Sequence, residues 1–68
     1  MQILVNGDKT DIDGGATLDK LIERLAIAHT RQGIAIAVND AVVPRELWST
    51  TILHQGDSIE IIRAVQGG

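Results

Sequence analysis

The sequence contains no cysteine, tyrosine or phenylalanine, and Trp48 is its single aromatic residue. The absence of cysteine excludes disulfide bonds, thiolate metal sites and a thiol nucleophile. It also suits a reducing cytoplasm, which is the compartment we expect. With one aromatic side chain, the core must consist of Ile, Leu, Val and Ala. Almost no aromatic surface is left on which a base or a flavin could stack.

Charge and hydropathy exclude further classes of protein. The formal net charge is −3, and the six lysine and arginine residues are scattered without a run, so the basic footprint of a nucleic-acid-binding protein is missing. The first residues have neither the basic nor the apolar region of a signal peptide. The longest apolar run, Ile34–Val38, is too short to span a bilayer. We therefore expect a monomer with no nucleic-acid or membrane partner.

The N-terminal pattern predicts a β-hairpin. Residues 1–5 alternate, with Met1, Ile3 and Val5 on one face. Asn6-Gly7 follows, and both residue types tolerate the positive φ angles of a tight hairpin turn. Residues 9–12 are the predicted returning strand.

The next segment has the pattern of an amphipathic helix. Thr17 stands at the N-cap position after a glycine pair, because its hydroxyl can accept a hydrogen bond from the first turn. Four apolar residues then recur at the spacing of one helical face: Leu18, Leu21, Ile22 and Leu25. The predicted helix ends near Ile27 or Ala28.

The second half predicts strands at residues 34–38, 41–43 and 58–63, a helical turn with Pro44 at its first position, and a weak β segment at 50–53. Parallel pairing of the first and last strands would need a long crossover, which the helix supplies. The order predicts an α+β, ubiquitin-like β-grasp fold, with a mixed four- to five-stranded sheet and one main helix on one face. Residues 1–64 would form this domain, and residues 65–68 a flexible tail that ends in Gly-Gly.

Signatures of catalysis and of metal binding are missing from the sequence. No nucleotide-binding glycine motif occurs, and His29 and His54 are isolated, without the spacing of metal ligands. Asp8, Asp11 and Asp13 indicate a solvated strand edge. A chain of this length leaves little room for an enclosed pocket. We therefore expect no catalytic residue, no metal and no bound cofactor. We also expect that the chain is not an enzyme.

The C-terminus is the one strong candidate for chemistry. Gly67 and Gly68 carry no Cβ, so they can thread a narrow channel and leave the terminal carboxylate open on both sides. A carboxylate becomes a good electrophile when it is converted to an acyl-adenylate, from which a sulfur nucleophile can displace AMP. This chain has neither an ATP-binding motif nor a sulfur nucleophile. ATP would therefore be used by a partner enzyme, and the chain would be its substrate.

Strand alternation also predicts a docking surface. If Ile3 and Val5 face the helix, Leu4 lies on the uncovered face of the sheet, and Ile62 lies outward by the same argument. Small alanines at positions 35 and 37 would lie nearby. The predicted partner-binding residues are Leu4, Ile62, Arg63, Ala64, Val65 and Gln66. Trp48 is expected to cap the thin end of the core instead of contacting a partner.

The sequence resembles the ThiS family of thiamin-biosynthesis sulfur carriers over essentially its whole length. The resemblance lies in residues 1–7, 38–40, 43–45 with Trp48, 56–62 and above all the ending 63–68, RAVQGG. It implies a β-grasp fold, adenylation by a ThiF-type enzyme, and a thiocarboxylate at Gly68. A sulfur-donating protein would supply the sulfur, and thiazole synthase of the ThiG type would receive it.

Other functions share the fold and the terminus. The small subunit of molybdopterin synthase ends in the same way, but such chains tend to be longer and to carry phenylalanine after the first strand, and phenylalanine is absent here. A carrier for cysteine or thionucleoside synthesis also fits the residues. The alternative from another class is a ubiquitin-like protein modifier, whose Gly-Gly is conjugated to lysine.

Overall fold

The computed structural model of the chain describes residues 1–25 and 33–63. Its elements are β1 (Gln2–Val5), β2 (Asp8–Asp11), α1 (Leu18–Arg24), β3 (Ile34–Val38), β4 (Ala41–Val43), a 3-10 helix (Arg45–Leu47) and β5 (Ser58–Arg63). Among the described residues, no helix is long and apolar enough to cross a bilayer.

The predicted N-terminal hairpin is confirmed. β1 and β2 pair antiparallel, and Asn6 (φ 51°) and Gly7 (φ 86°) adopt the left-handed conformation that a two-residue type I′ turn requires. The returning strand begins at Asp8, one residue earlier than predicted, and ends at Asp11. Ile12 follows the strand and is buried, so its apolar side chain belongs to the core and not to the edge.

Helix α1 begins as the sequence predicts. The hydroxyl of Thr17 accepts a hydrogen bond from the Lys20 amide at 3.4 Å, which satisfies one of the free N–H groups of the first turn. Its predicted apolar face is buried at three positions and partly buried at the fourth, Leu25. The helix ends at Arg24, with Leu25 as the C-cap, earlier than predicted. Ile27 and Ala28 lie outside the described residues.

The strands form one five-stranded sheet in the order β2-β1-β5-β3-β4. β1 and β5 pair in parallel, whereas β3 is antiparallel to both β4 and β5. The central parallel pair joins the first and last strands, as predicted, and the chain between them includes α1. This arrangement is the β-grasp fold.

The core lies between α1 and one face of the sheet, and it is aliphatic except for Trp48. Trp48 is 2% exposed, and its indole N–H donates a hydrogen bond to the carbonyl of Val43 at 2.9 Å. The guanidinium of Arg45 lies 5.4 Å from the centroid of the ring, within cation–π range. The prediction that Trp48 belongs to the core is confirmed.

Two local predictions need correction. Pro44 is not the first helical residue, because its ψ of 148° is extended and the 3-10 helix begins at Arg45. Residues 50–53 do not form a strand of the sheet, and Ile52 makes only an isolated bridge with Thr17. The backbone there pairs with the chain before α1 instead, since the Leu53 N–H donates to the Ala16 carbonyl at 2.8 Å.

Candidate functional site

Strand β5 leads directly towards the chain terminus and lies in the middle of the sheet. Its first residues pair with β1 at Ser58 and Ile59. On its other side, the pairing with β3 extends to the last described residue, where Arg63 lies opposite Ile34. Ile59 is fully buried. The segment that precedes the terminal glycines is therefore anchored in the centre of the fold.

Most of the predicted site lies beyond this strand. Residues 64–68, which include the predicted sulfur-carrying Gly68 and its neighbour Gly67, are outside the described part of the chain. The boundary at residue 64, the mobility of the tail and the roles of Ala64, Val65 and Gln66 therefore stay predictions.

Leu4 and Ile62 share the face of the sheet that α1 leaves uncovered, but they are not neighbours. Leu4 is half-buried and lies level with Ser58 of β5. Ile62 is 55% exposed and lies four residues further along β5, roughly 13 Å away at about 3.3 Å per residue. The exposed Glu60 shares this face between them. The two residues therefore do not form one continuous apolar surface.

The apolar neighbours of Ile62 come from β3 and β4. Ile62 lies opposite Ala35, and Ala37, which is 7% exposed, lies between Val42 and the exposed Glu60. These four apolar residues, Ala35, Ala37, Val42 and Ile62, form an open-face patch that Glu60 borders. Val42 is 71% exposed, and sequence reasoning did not select it. The alternation of β4 could have found it, because Val43 packs partly against the core and Val42 must then point the other way.

Among the described residues, the titratable groups do not assemble into a metal-binding cluster. His54 is 77% exposed, and its Nδ1 is 3.9 Å from Asp57 Oδ2. The same Asp57 oxygen accepts the backbone N–H of His54 at 2.8 Å, so the carboxylate organises a turn. In residues 1–25 and 33–63, no group of three or more His, Asp or Glu residues could hold a metal ion. His29 lies outside these ranges.

A cleft of about 400 Å³ that is open to solvent lies beside α1, and it does not bear on the expectation of little room for an enclosed pocket. It is lined by Ile12, Asp13, Gly14, Gly15, Ala16, Lys20 and Arg24. The lining thus carries two cations, Lys20 and Arg24, and one carboxylate, Asp13.

The comparisons with known proteins place the chain in a family. A model of the ThiS family matches residues 3–68, a range that includes both terminal glycines. The chain belongs to the ThiS family. The sulfur carrier protein ThiS of Escherichia coli (strain K12) is 37% identical over 68 residues, and the match covers the whole of both chains.

Two further relatives of this ThiS family member are a solved structure and a longer protein that contains a similar segment. The crystal structure of a thiamine biosynthesis protein (ThiS) from Geobacter metallireducens superposes with a TM-score of 0.84 at 27% identity, covering all of both chains. The ubiquitin-like β-grasp fold predicted from the sequence is thereby confirmed. A thiazole synthase of Magnetococcus marinus is 32% identical over 68 residues, which are all of this chain but only 20% of that protein.

Proposed function

We propose that this chain is a sulfur carrier of thiamin biosynthesis and that it acts through the terminal carboxylate of Gly68. The observation that carries the proposal is the end-to-end match to the sulfur carrier protein of Escherichia coli, within a family match that extends to Gly68. The position of β5 supports it, because β5 is the middle strand of the sheet and the residues that lead to the terminus follow it directly.

The proposed chemistry has two steps. In the first, a carboxylate oxygen of Gly68 attacks the α-phosphorus of ATP, the bond between the α- and β-phosphates breaks, and pyrophosphate leaves. In the second, hydrosulfide supplied by the sulfur-donating protein attacks the carbonyl carbon, AMP leaves with the electron pair of the acyl–oxygen bond, and the remaining S–H proton is lost to water. The product is a thiocarboxylate at Gly68, whose sulfur can then be donated to the forming thiazole.

Partners supply the catalysis in this proposal. A ThiF-type adenylating enzyme binds the ATP, a sulfur-donating protein provides the nucleophile, and the chain itself is a substrate without turnover of its own. Two features support this division. The sequence has no nucleotide-binding motif, and the part of the chain that the structure describes has no metal-ligand cluster.

A thiazole synthase of the ThiG type is the proposed sulfur acceptor. A segment similar to this entire chain forms about a fifth of the Magnetococcus marinus thiazole synthase. Two units that occur in one polypeptide are expected to act together, because their linkage raises the local concentration of each for the other. That relationship supports an encounter between this carrier and a separate thiazole synthase.

The open-face patch is the proposed docking surface, together with Leu4, Arg63 and residues 64–66. Ile62 and Val42 expose apolar side chains beside the end of β5, and a partner that covered them would also receive the residues that follow Arg63. Exposed apolar clusters of this kind are typical of interaction sites.

The test is the intact mass of the purified chain after incubation with the adenylating enzyme, ATP and sulfide. Exchange of one terminal oxygen for sulfur is the expected result, with an AMP adduct when sulfide is left out. A chain extended by one alanine after Gly68 is the matched control, since it keeps the fold but moves the carboxylate. Adenylation of the extended chain would refute the mechanism. Conjugates to lysine side chains of other proteins without any thiocarboxylate would identify a protein modifier instead.

A further inference from the structure

Asn6 makes an unusual set of contacts with β5, across 55 positions of sequence. Its backbone N–H donates to the Ile59 carbonyl at 2.8 Å. Its side-chain Oδ1 accepts the Ile61 N–H at 2.9 Å, and its Nδ2 donates to the Ile61 carbonyl at 3.4 Å. One residue of the first hairpin turn therefore holds both backbone polar groups of Ile61.

These contacts take the place of the strand pairing that β1 does not provide at Ile61. β1 ends at Val5, because the left-handed φ of 51° at Asn6 turns the chain away into the hairpin. β5 continues to Arg63, so Ile61 would have no strand partner on its β1 side. The amide side chain offers an acceptor oxygen and a donor nitrogen, as a peptide group does. It thus extends the parallel pairing by one step towards the chain terminus.

Asn39 holds the other end of the strand with a different set of bonds, and its Nδ2 donates to Asp57 Oδ1 at 3.0 Å. It also has a φ of 51° and also begins the turn of a hairpin, between β3 and β4. Its Oδ1 accepts the Ser58 N–H at 2.9 Å, and its backbone N–H donates to the Ser58 carbonyl at 2.8 Å. The two asparagines therefore hold β5 at opposite ends, Asn39 where the strand begins and Asn6 close to where it ends.

We propose that Asn6 is a positioning residue: it fixes the end of β5 at Ile61 and so sets the direction from which the chain continues to the terminal carboxylate. The effect on adenylation rests on the proposed function. When the strand from which a tail departs is already held in place, only the tail itself remains to be ordered on binding. Loss of the Asn6 amide should therefore raise the KM for the carrier and leave kcat nearly unchanged.

Asn6→Gly tests this, and Asn39→Gly is the matched control. Glycine adopts positive φ readily, so each variant keeps its turn and removes one amide side chain from β5. Asn39→Gly also removes the hydrogen bond from Asn39 Nδ2 to Asp57 Oδ1. Amide hydrogen exchange should quicken about five- to tenfold at Ile61 in the first variant and at Ser58 in the second, from the net strength of one hydrogen bond. The residual dipolar coupling of the Arg63 N–H should change in Asn6→Gly alone.

Adenylation is measured where both variants are fully folded, as judged by Trp48 fluorescence. The KM for the carrier should rise about fivefold or more in Asn6→Gly and stay within about twofold in Asn39→Gly, since only the first loses a bond near the strand end. Asn6→Asp keeps the acceptor for the Ile61 N–H and should restore most of the protection and of the KM.

The outcomes separate this inference from the proposed function. Equal KM values for the two glycine variants, or an unchanged Arg63 coupling in Asn6→Gly, would overturn the positioning role. A wild-type chain that is never adenylated would refute the proposed function, and the exchange at Ile61 and the coupling at Arg63 would then decide alone whether Asn6 orients the strand end.

Discussion

Two isoleucines of β5 allow a direct test of how the fold divides buried from exposed surface. Ile59 is 0% exposed and Ile62 is 55% exposed, and the strand and residue type are the same. Truncation of each to alanine therefore carries a similar loss of β-propensity, at most about 1 kcal/mol. The difference between the two variants measures burial.

The expected magnitudes are far apart. Removal of a fully buried isoleucine side chain to alanine costs about 2–5 kcal/mol. A 68-residue chain has a free energy of unfolding of roughly 3–10 kcal/mol, at about 0.05–0.15 kcal/mol per residue. Ile59→Ala should thus remove about a fifth or more of the stability. Ile62 already exposes about half of its side chain, so Ile62→Ala should cost about 1 kcal/mol.

The assay is urea unfolding followed by the fluorescence of Trp48, which is buried in the folded state and has no competing aromatic residue. With a slope of about 1 kcal/mol per molar urea for a small domain, the two midpoints should differ by about 1–4 M. Midpoints within about 0.5 M of each other, at equal slopes, would refute the assignment of Ile59 to the core and Ile62 to the open face.

Three further predictions concern the hairpin turn, the core and the docking surface. Gly7→Ala places a Cβ at a φ of +86° and should cost about 1–2 kcal/mol, whereas Gly14→Ala, at a position without positive φ or a close neighbour, should be neutral or slightly stabilising by thermal unfolding. Trp48→Phe removes the indole N–H that donates to the Val43 carbonyl and puts a smaller ring into the core, so thermal unfolding by circular dichroism should show a loss of about 1–3 kcal/mol. Val42→Glu should weaken binding to the adenylating enzyme in a calorimetric titration, while Leu47→Glu, also exposed but outside the open-face patch, should not. Equal effects of the last two would argue against docking at the patch.

Local chemistry determined the features that sequence reasoning predicted well. Asn6-Gly7 specifies its own turn because both residues accept positive φ, and the Thr17 hydroxyl caps the helix that follows it. The alternation in β5 and the apolar spacing in α1 decided which side chains would enter the core. The role of the terminal Gly-Gly stays a prediction, argued from properties of the residues themselves, a missing Cβ and a carboxylate open on both sides.

The predictions that failed or fell short depend on partners distant in the chain. Residues 50–53 have a β-like composition, but their backbone pairs with the chain before α1 and not with the sheet. Leu4 and Ile62 were expected in one patch, and the register of β1 against β5 separates them by four positions. Val42 joins Ile62 only because β3 lies between their strands.

The sequence by itself thus determined most of the order of elements, the aliphatic core and the presence of a terminal Gly-Gly. The tertiary structure alone decided the register of the strands, the membership of the open-face patch and the contact of Asn6 with Ile61. The physical reason is that propensity and alternation act within a few residues. Register is set when strands far apart in the chain pair and bury one common face.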